Sequence, residues 1–168
     1  MGIDGWPTAP GQGALAIESR SDDASIGLIG QGLRALDDAY ARPCALAERA
    51  MLAELEAGCQ APVGAWARLA DGLLMLSGAV YRPDGSESRE AQRAINWPSD
   101  SRDRLRDPGA HPGPDAAADA AATGLGIATA RELLANGAAE LAPMTLLTGA
   151  RLRAHEGAPL AHLTKDQR

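Results

Sequence analysis

The stretch PCALAERAMLAELEAGCQAPVGAWARLADGLLMLSGAVY, residues 43–81, changes its hydrophobic period once, and that change decides the fold. Cys44, Ala47, Met51 and Leu55 recur at spacings of three, four and four. This is one apolar stripe of an α-helix over 43–57. Pro43 is tolerated in a first helical turn. Glu48 and Glu56, with Arg49 beside them, point away from the stripe. Gly58 is the expected stop, because glycine adopts the left-handed conformation that ends helices. Cys59 then lies just past the helix end on a loop, whereas Cys44 lies on the buried stripe. From residue 63 the period falls to two. VGAWARLA (63–70) and LLMLSGAVY (73–81) read as strands joined at Asp71-Gly72, a type I′ hairpin signal. Pro83-Asp84-Gly85 is a second turn, and Ser88–Ile95 a third strand.

Outward from this core the pattern is plainer. Residues 1–13, MGIDGWPTAPGQG, form a Gly/Pro-rich loop leading directly into ALAIESR (14–20), a short predicted strand. So elaborate a loop before the first element suggests a cut through a larger protein. Ser21, Asp22 and Asp23 offer N-cap oxygens for a helix running to about Leu36. Residues 96–114 are a loop rich in proline, glycine and charge. Asp115 caps a long Ala-rich helix ending at Asn136-Gly137, with Gly124 and Gly126 inside it. Residues 143–168 are weakly patterned and read as a partly disordered tail. The fold class is α+β: a small three-stranded antiparallel sheet with flanking helices, preceded by a strand and a helix.

Composition narrows function. The chain has 168 residues and a formal net charge of −6, a poor basis for phosphate-driven nucleic-acid binding. Three Trp, two Tyr and no Phe imply a core of aliphatic and small residues. Arginine carries nearly all the positive charge, Lys165 being the one lysine. That bias suits carboxylate recognition and equally follows from a GC-rich coding preference. Cys44 and Cys59 have neither CxxC nor zinc-knuckle spacing, and His111, His155 and His162 are scattered, so no metal site is expected. A reducing cytoplasmic compartment is the simplest setting for two such cysteines. No stretch approaches the roughly 18 apolar residues of a membrane span, and no signal peptide is evident.

Cys59 sits among Gly58, Gln60 and Pro62, small and stiff neighbours that leave a thiol accessible and fix its direction. A thiolate is suited to capturing a carbon electrophile. A partly buried structural cysteine is the plain alternative. A thiol-dependent hydrolase would need His111, His155 or His162 to fold within reach of Cys59.

The run AERAMLAELEAGCQAPVGAWARL resembles the cofactor-attachment segment of porphobilinogen deaminases, and Ala9–Glu18, APGQGALAIE, is similar to a second segment of that family. The resemblance covers about residues 6–142. It implies a remnant of the domain 1/2 region over 1–42, the C-terminal cofactor-attachment domain over 43–142, and a tail over 143–168. It implies that Cys59 forms a thioether to a covalent dipyrromethane, and that Gln12 and Gly13 lie near the bound pyrroles. Without the resemblance, Gly-Gln-Gly is a tight turn into a strand. Gln60 and Pro62 are expected to shape the loop, and Arg49 to pair with a nearby acid.

Family members are close to twice this length. Their catalytic aspartate and most pigment-binding arginines lie in the N-terminal half, so no catalytic residue is assigned here. The implied function is that of the C-terminal part of hydroxymethylbilane synthase, acting on porphobilinogen and the growing pyrrole chain in tetrapyrrole (heme) biosynthesis. The portion is expected to be inactive alone. Unpaired, the strand at 14–20 would expose its edge, so a separately encoded N-terminal half, or self-association, is the expected partner. The alternative is a non-catalytic interaction module, or a truncated product, retaining the domain-3 fold.

Overall fold

A computed structural model describes residues 7–20, 22, 27–57, 61–97 and 115–142. The elements are α1 (Gly27–Leu36), α2 (Ala41–Glu54), β1 (Val63–Ala70), β2 (Leu73–Tyr81), β3 (Ser88–Asn96), α3 (Ala116–Ala135) and a 3-10 turn (Ala138–Glu140). The sheet has the order β1-β2-β3 and is antiparallel throughout. The α+β expectation is met.

The register follows from the turns. Asp71 and Gly72 both have positive φ, 53° and 74°, as a type I′ turn requires. It pairs Ala70 with Leu73 and Val63 with Val80. At the second turn the Gly85 amide donates to the Arg82 carbonyl at 2.8 Å, and the Arg82 amide to the Glu87 carbonyl at 2.8 Å. Successive residues of a strand face opposite ways. Val63, Ala65 and Ala67 of β1, with Leu74, Leu76 and Val80 of β2, therefore enter the core together. Helices α2 and α3 cover that face. The opposite face carries Trp66, Arg68, Ser77 and Gln92, with the Arg68 guanidinium 5.4 Å from the centre of the Trp66 ring.

The stripe read from the sequence forms the floor of the core: Ala47, Met51 and Leu55 are buried. Cys44 is only partly buried, at the rim of the stripe. The core is aliphatic and small, as the composition implied, with Trp97 as its buried aromatic.

Small residues set the spacing of α2 and α3. A Cβ on Gly126 would overlap the Ala47 carbonyl and lie 2.8 Å from both the Ala50 Cβ and the Met51 nitrogen. Glycine is therefore required at 126 for lack of space. Gly124, two residues earlier, faces open space. Gly124→Ala is expected to raise stability by about 0.5–1 kcal/mol by restricting the unfolded chain, read as a higher urea midpoint at unchanged slope.

Three local expectations need correction. Residues 14–20 form no strand, and Leu15 is 99 % exposed. A strand is a ladder rather than a propensity, and no described strand forms a ladder with this segment. The second correction concerns the end of α2. Glu56 takes a left-handed position, at φ 51°, two residues before the expected stop at Gly58, which lies outside the described residues. The Glu56 amide donates to the Ala53 carbonyl and the Ala57 amide to that of Leu52, the paired bonds of a Schellman ending. Cys59 thus follows the helix stop by three residues rather than one. Lastly, Asp22, expected as a cap, is itself helical; the other expected caps, Ser21 and Asp23, lie outside the described residues, while α1 ends at Leu36 as read.

The long helix behaves as read. The Asp115 carboxylate accepts from the Ala117 and Ala118 amides, and Gly137 follows the helix at φ 86°. Arg42 ties α2 to α3 by a two-pronged contact with Asp119, 2.9 and 2.7 Å, and reaches Asp37 at 3.1 Å.

Candidate functional site

The first site segment is the turn Ala9–Gly13. The Gln12 amide donates to the Ala9 carbonyl at 3.1 Å and the Ala14 amide to the Gly11 carbonyl at 3.1 Å. The Gln12 side-chain oxygen accepts from the Ala9 amide at 3.3 Å, which turns the side chain back over its own loop. Gly11 has φ 72°, a conformation that glycine enters without the Cβ clash of other residues. Gly13 is exposed, with open space where a side chain would be.

This turn lies along the outer edge of β1. Alternate β1 amides point away from β2, and each finds an acceptor. The Val63 amide donates to the Ala61 carbonyl at 2.8 Å and the Ala65 amide to that of Thr8 at 2.8 Å. Ala67 donates to the Glu48 carboxylate at 2.7 Å. The Leu69 backbone hydrogen-bonds Cys44. The free edge is thereby closed. Helical spacing explains the last two contacts: Cys44 and Glu48, four residues apart, lie on one face of α2.

Glu48 does more than close the edge. Its other oxygen accepts from the Gly11 amide at 2.8 Å. The expectation that Glu48 merely points away from the apolar stripe misses this role. An acid flanking an apolar stripe is a solvated residue in most helices, and only the placement of β1 reveals the difference.

Cys59, Gly58 and Gln60 lie outside the described residues. The flanks of their loop are described. Ala57 is buried, and the Tyr81 amide donates to the Pro62 carbonyl at 2.9 Å, tying the loop's exit to β2. Beside that exit is a cleft of about 550 Å³ lined by Pro7, Ala61, Pro62, Tyr81, Arg82 and Glu87, among others. The Arg82 guanidinium is held by Glu87 at 2.6 Å.

Cys44 is no competitor as a nucleophile. Burial foremost, with Glu48 adding to it, pushes its thiol from 9.0 up to about 11. His111, His155 and His162 all lie outside the described residues, so the hydrolase alternative gains no geometry. Among the described residues no cluster of three or more His, Cys, Asp or Glu could hold a metal ion, and no helix is long and apolar enough to cross a membrane. Among the described residues, Arg42, Arg82, Arg89, Arg93 and Arg131 are spent on the chain's own acids, each pairing with a carboxylate. Arg49, expected to pair likewise, makes no ion pair among the described residues; its methylenes lie 3.6 Å from where a Gly11 Cβ would stand.

An open-faced antiparallel sheet, two helices on its inner face and a glycine turn along its edge define an α+β domain that shares one surface with a preceding loop. Residues 43–105 match the family model described as "Porphobilinogen deaminase, C-terminal domain". The chain is also similar to porphobilinogen deaminases themselves. It is 48% identical over 139 residues to that of Leifsonia xyli subsp. xyli, covering 82% of this chain and 38% of the relative. It is 42% identical over 159 residues to that of Nocardia farcinica, covering 89% and 39%. With that of Cutibacterium acnes it is 38% identical over 142 residues, covering 81% and 38%. The homologues of this chain are porphobilinogen deaminases, and residues 43–105 match the C-terminal domain of that family. The chain spans about two fifths of the length of these relatives.

The family implies a dipyrromethane, and the described residues fit one. A pigment bearing carboxylates needs exposed donors with room beside them. The Gln12 side-chain amide and the open turn at Gly13 offer both.

Proposed function

We propose that this chain is the cofactor-bearing C-terminal part of a hydroxymethylbilane synthase, a transferase of tetrapyrrole biosynthesis working in the cytoplasm. Residues 1–42 belong with the preceding domains, 43–142 form the attachment domain, and 143–168 are a tail. The observation that carries this reading is the joining of two motifs distant in sequence. The Ala9–Gly13 turn is bound, through Glu48 and Thr8, to the edge of the domain that carries Cys59.

Cys59 supplies the attachment. Its sulfur bonds to the methylene carbon of an aminomethylpyrrole while the carbon–nitrogen bond breaks and ammonia leaves. The thiol proton ends on the pyrrole nitrogen from which the ring's own proton departed with the amine. Thiol plus aminomethylpyrrole thus gives thioether plus ammonia. When bound, the dipyrromethane supplies a pyrrole carbon on which four porphobilinogens are added in turn, and it stays after hydroxymethylbilane is cleaved. Gln12 and the Gly13 amide orient pigment carboxylates. The tether keeps the reacting end at high effective concentration.

Turnover needs the catalytic aspartate and arginines that the resemblance assigns to the family's N-terminal half. A complementing half or a second copy is the proposed partner. Leu15 and Ile17, with Leu28, Ile29 and Leu36 of α1, are exposed and apolar, and these exposed side chains support such a partner.

The test is intact mass after incubating the chain with porphobilinogen and a separately produced N-terminal half. A gain of two pyrrole units on the peptide containing Cys59, with colour in the acid Ehrlich reaction, is expected. An unmodified Cys59 would refute the proposal in favour of a non-catalytic module.

A further inference from the structure

We infer that Glu48 is a positioning residue, whose carboxylate holds the Ala9–Gly13 turn in fixed register with the edge of the domain that carries Cys59. The inference deepens the function proposed above and rests on it for its bearing on the pigment.

One carboxylate oxygen accepts from Ala67 at 2.7 Å and the other from Gly11 at 2.8 Å, 37 residues away in sequence. Edge closure alone would use one oxygen. The Thr8 carbonyl and the Cys44 sulfur serve the neighbouring amides of that edge with one bond each. A carboxylate is suited to two amides because it accepts on both oxygens and donates on neither, and charge-assisted bonds are shorter and stronger than neutral ones. A glutamine would turn one acceptor into an NH2 facing an amide N–H, donor against donor.

The turn is shaped for the contact. Gly11 is left-handed, and the Arg49 methylenes lie against it where a side chain would stand. Thr8, two residues before the turn's own Pro10, is already bound to Ala65. The segment is therefore held at two points, Thr8 and Gly11, with Gln12 and Gly13 directly after the second. Freeing Gly11 leaves the first hold intact and releases the residues that face the pigment. The effect of losing Glu48 should accordingly be local.

Glu48→Gln is tested by residue-resolved amide exchange and by the rate of covalent loading at Cys59 in the complemented protein. Exchange at Gly11 and Ala67 is expected to rise about tenfold or more, with the β2 and α3 amides within twofold of the wild type. Loading should slow by a similar factor. Unchanged Gly11 exchange, or acceleration spread evenly over all elements, overturns the inference. Should Glu48→Gln fail to fold, the wild-type chain decides alone: Gly11 must exchange at least about tenfold slower than a free peptide despite its surface position. Failure of the wild type to load refutes the proposed function, whereas the exchange result still decides the clamp.

Discussion

Cys59→Ser is expected to leave the chain without covalent pyrrole under conditions chosen to load the wild type, with an unfolding curve within about 0.5 kcal/mol of the parent. A serine hydroxyl is almost wholly protonated at neutral pH and is far weaker than a thiolate towards carbon. The second cysteine offers no rescue. With its thiol held near 11, roughly one Cys44 in a thousand is ionised at pH 8. Iodoacetamide at that pH should therefore label Cys59 first and protect the chain from loading. Cys44→Ser is expected to give the opposite pattern, with loading retained and stability lowered by about 1 kcal/mol. That loss is modest because Cys44 lies at the rim of the core and serine can still accept from Leu69. Intact mass and urea denaturation of the two variants separate these outcomes, and identical behaviour would contradict the assignment of the two thiols. Cys44 also has a pH signature. Its thiol ionises near 9 unfolded and near 11 folded. The stability it contributes is complete below pH 9 and is lost as pH rises from there through 11.

Gly126→Val is expected to cost about 3 kcal/mol and to lower the midpoint of thermal unfolding by roughly 15 °C. The α2–α3 contact is built on backbone approach: Ala47, Ala122 and Ala130 are fully buried there, and Gly126 meets the Ala47 carbonyl directly. Helices whose seam is lined by small residues come closer than leucine-lined ones, and dispersion across the seam grows with that proximity. Valine would part the helices and forfeit those contacts along their length. Gly126→Ala should fall between valine and the parent, because its single methyl meets backbone atoms that cannot swing aside. Calorimetry on the three proteins checks the order, and a valine variant as stable as the parent would show that the seam yields.

The two glycines of α3 show where reading from the sequence stops. Gly124 and Gly126 look alike in an Ala-rich helix, where glycine is less favourable than alanine. Their roles diverge only because α2 crosses at one of them. Glu48 is the same case at the site. It belongs to an AERA motif and reads as a solvated acid, yet it meets Gly11 and Ala67 across separations of 37 and 19 residues. No local pattern carries such a contact, since neither backbone amide has a side-chain signature. Residues 14–20 err the other way: their apolar content signals a strand, but a strand exists only where another chain segment pairs with it.

The hairpins, the capped long helix and the apolar stripe of α2 were determined by residue order alone, because each depends on contacts within a few positions: φ > 0 at Asp71-Gly72, the Asp115 carboxylate over its own amides, a recurrence of three and four. The assignment of Gln12, Gly13 and Cys59 to the site rests on sequence alone, through their setting in two recognisable runs. Tertiary structure decided which glycine admits no side chain, which acid faces the sheet edge, and that Glu56 ends α2. Such outcomes depend on the distance between segments remote along the chain, and that distance is set by the packing of the whole core.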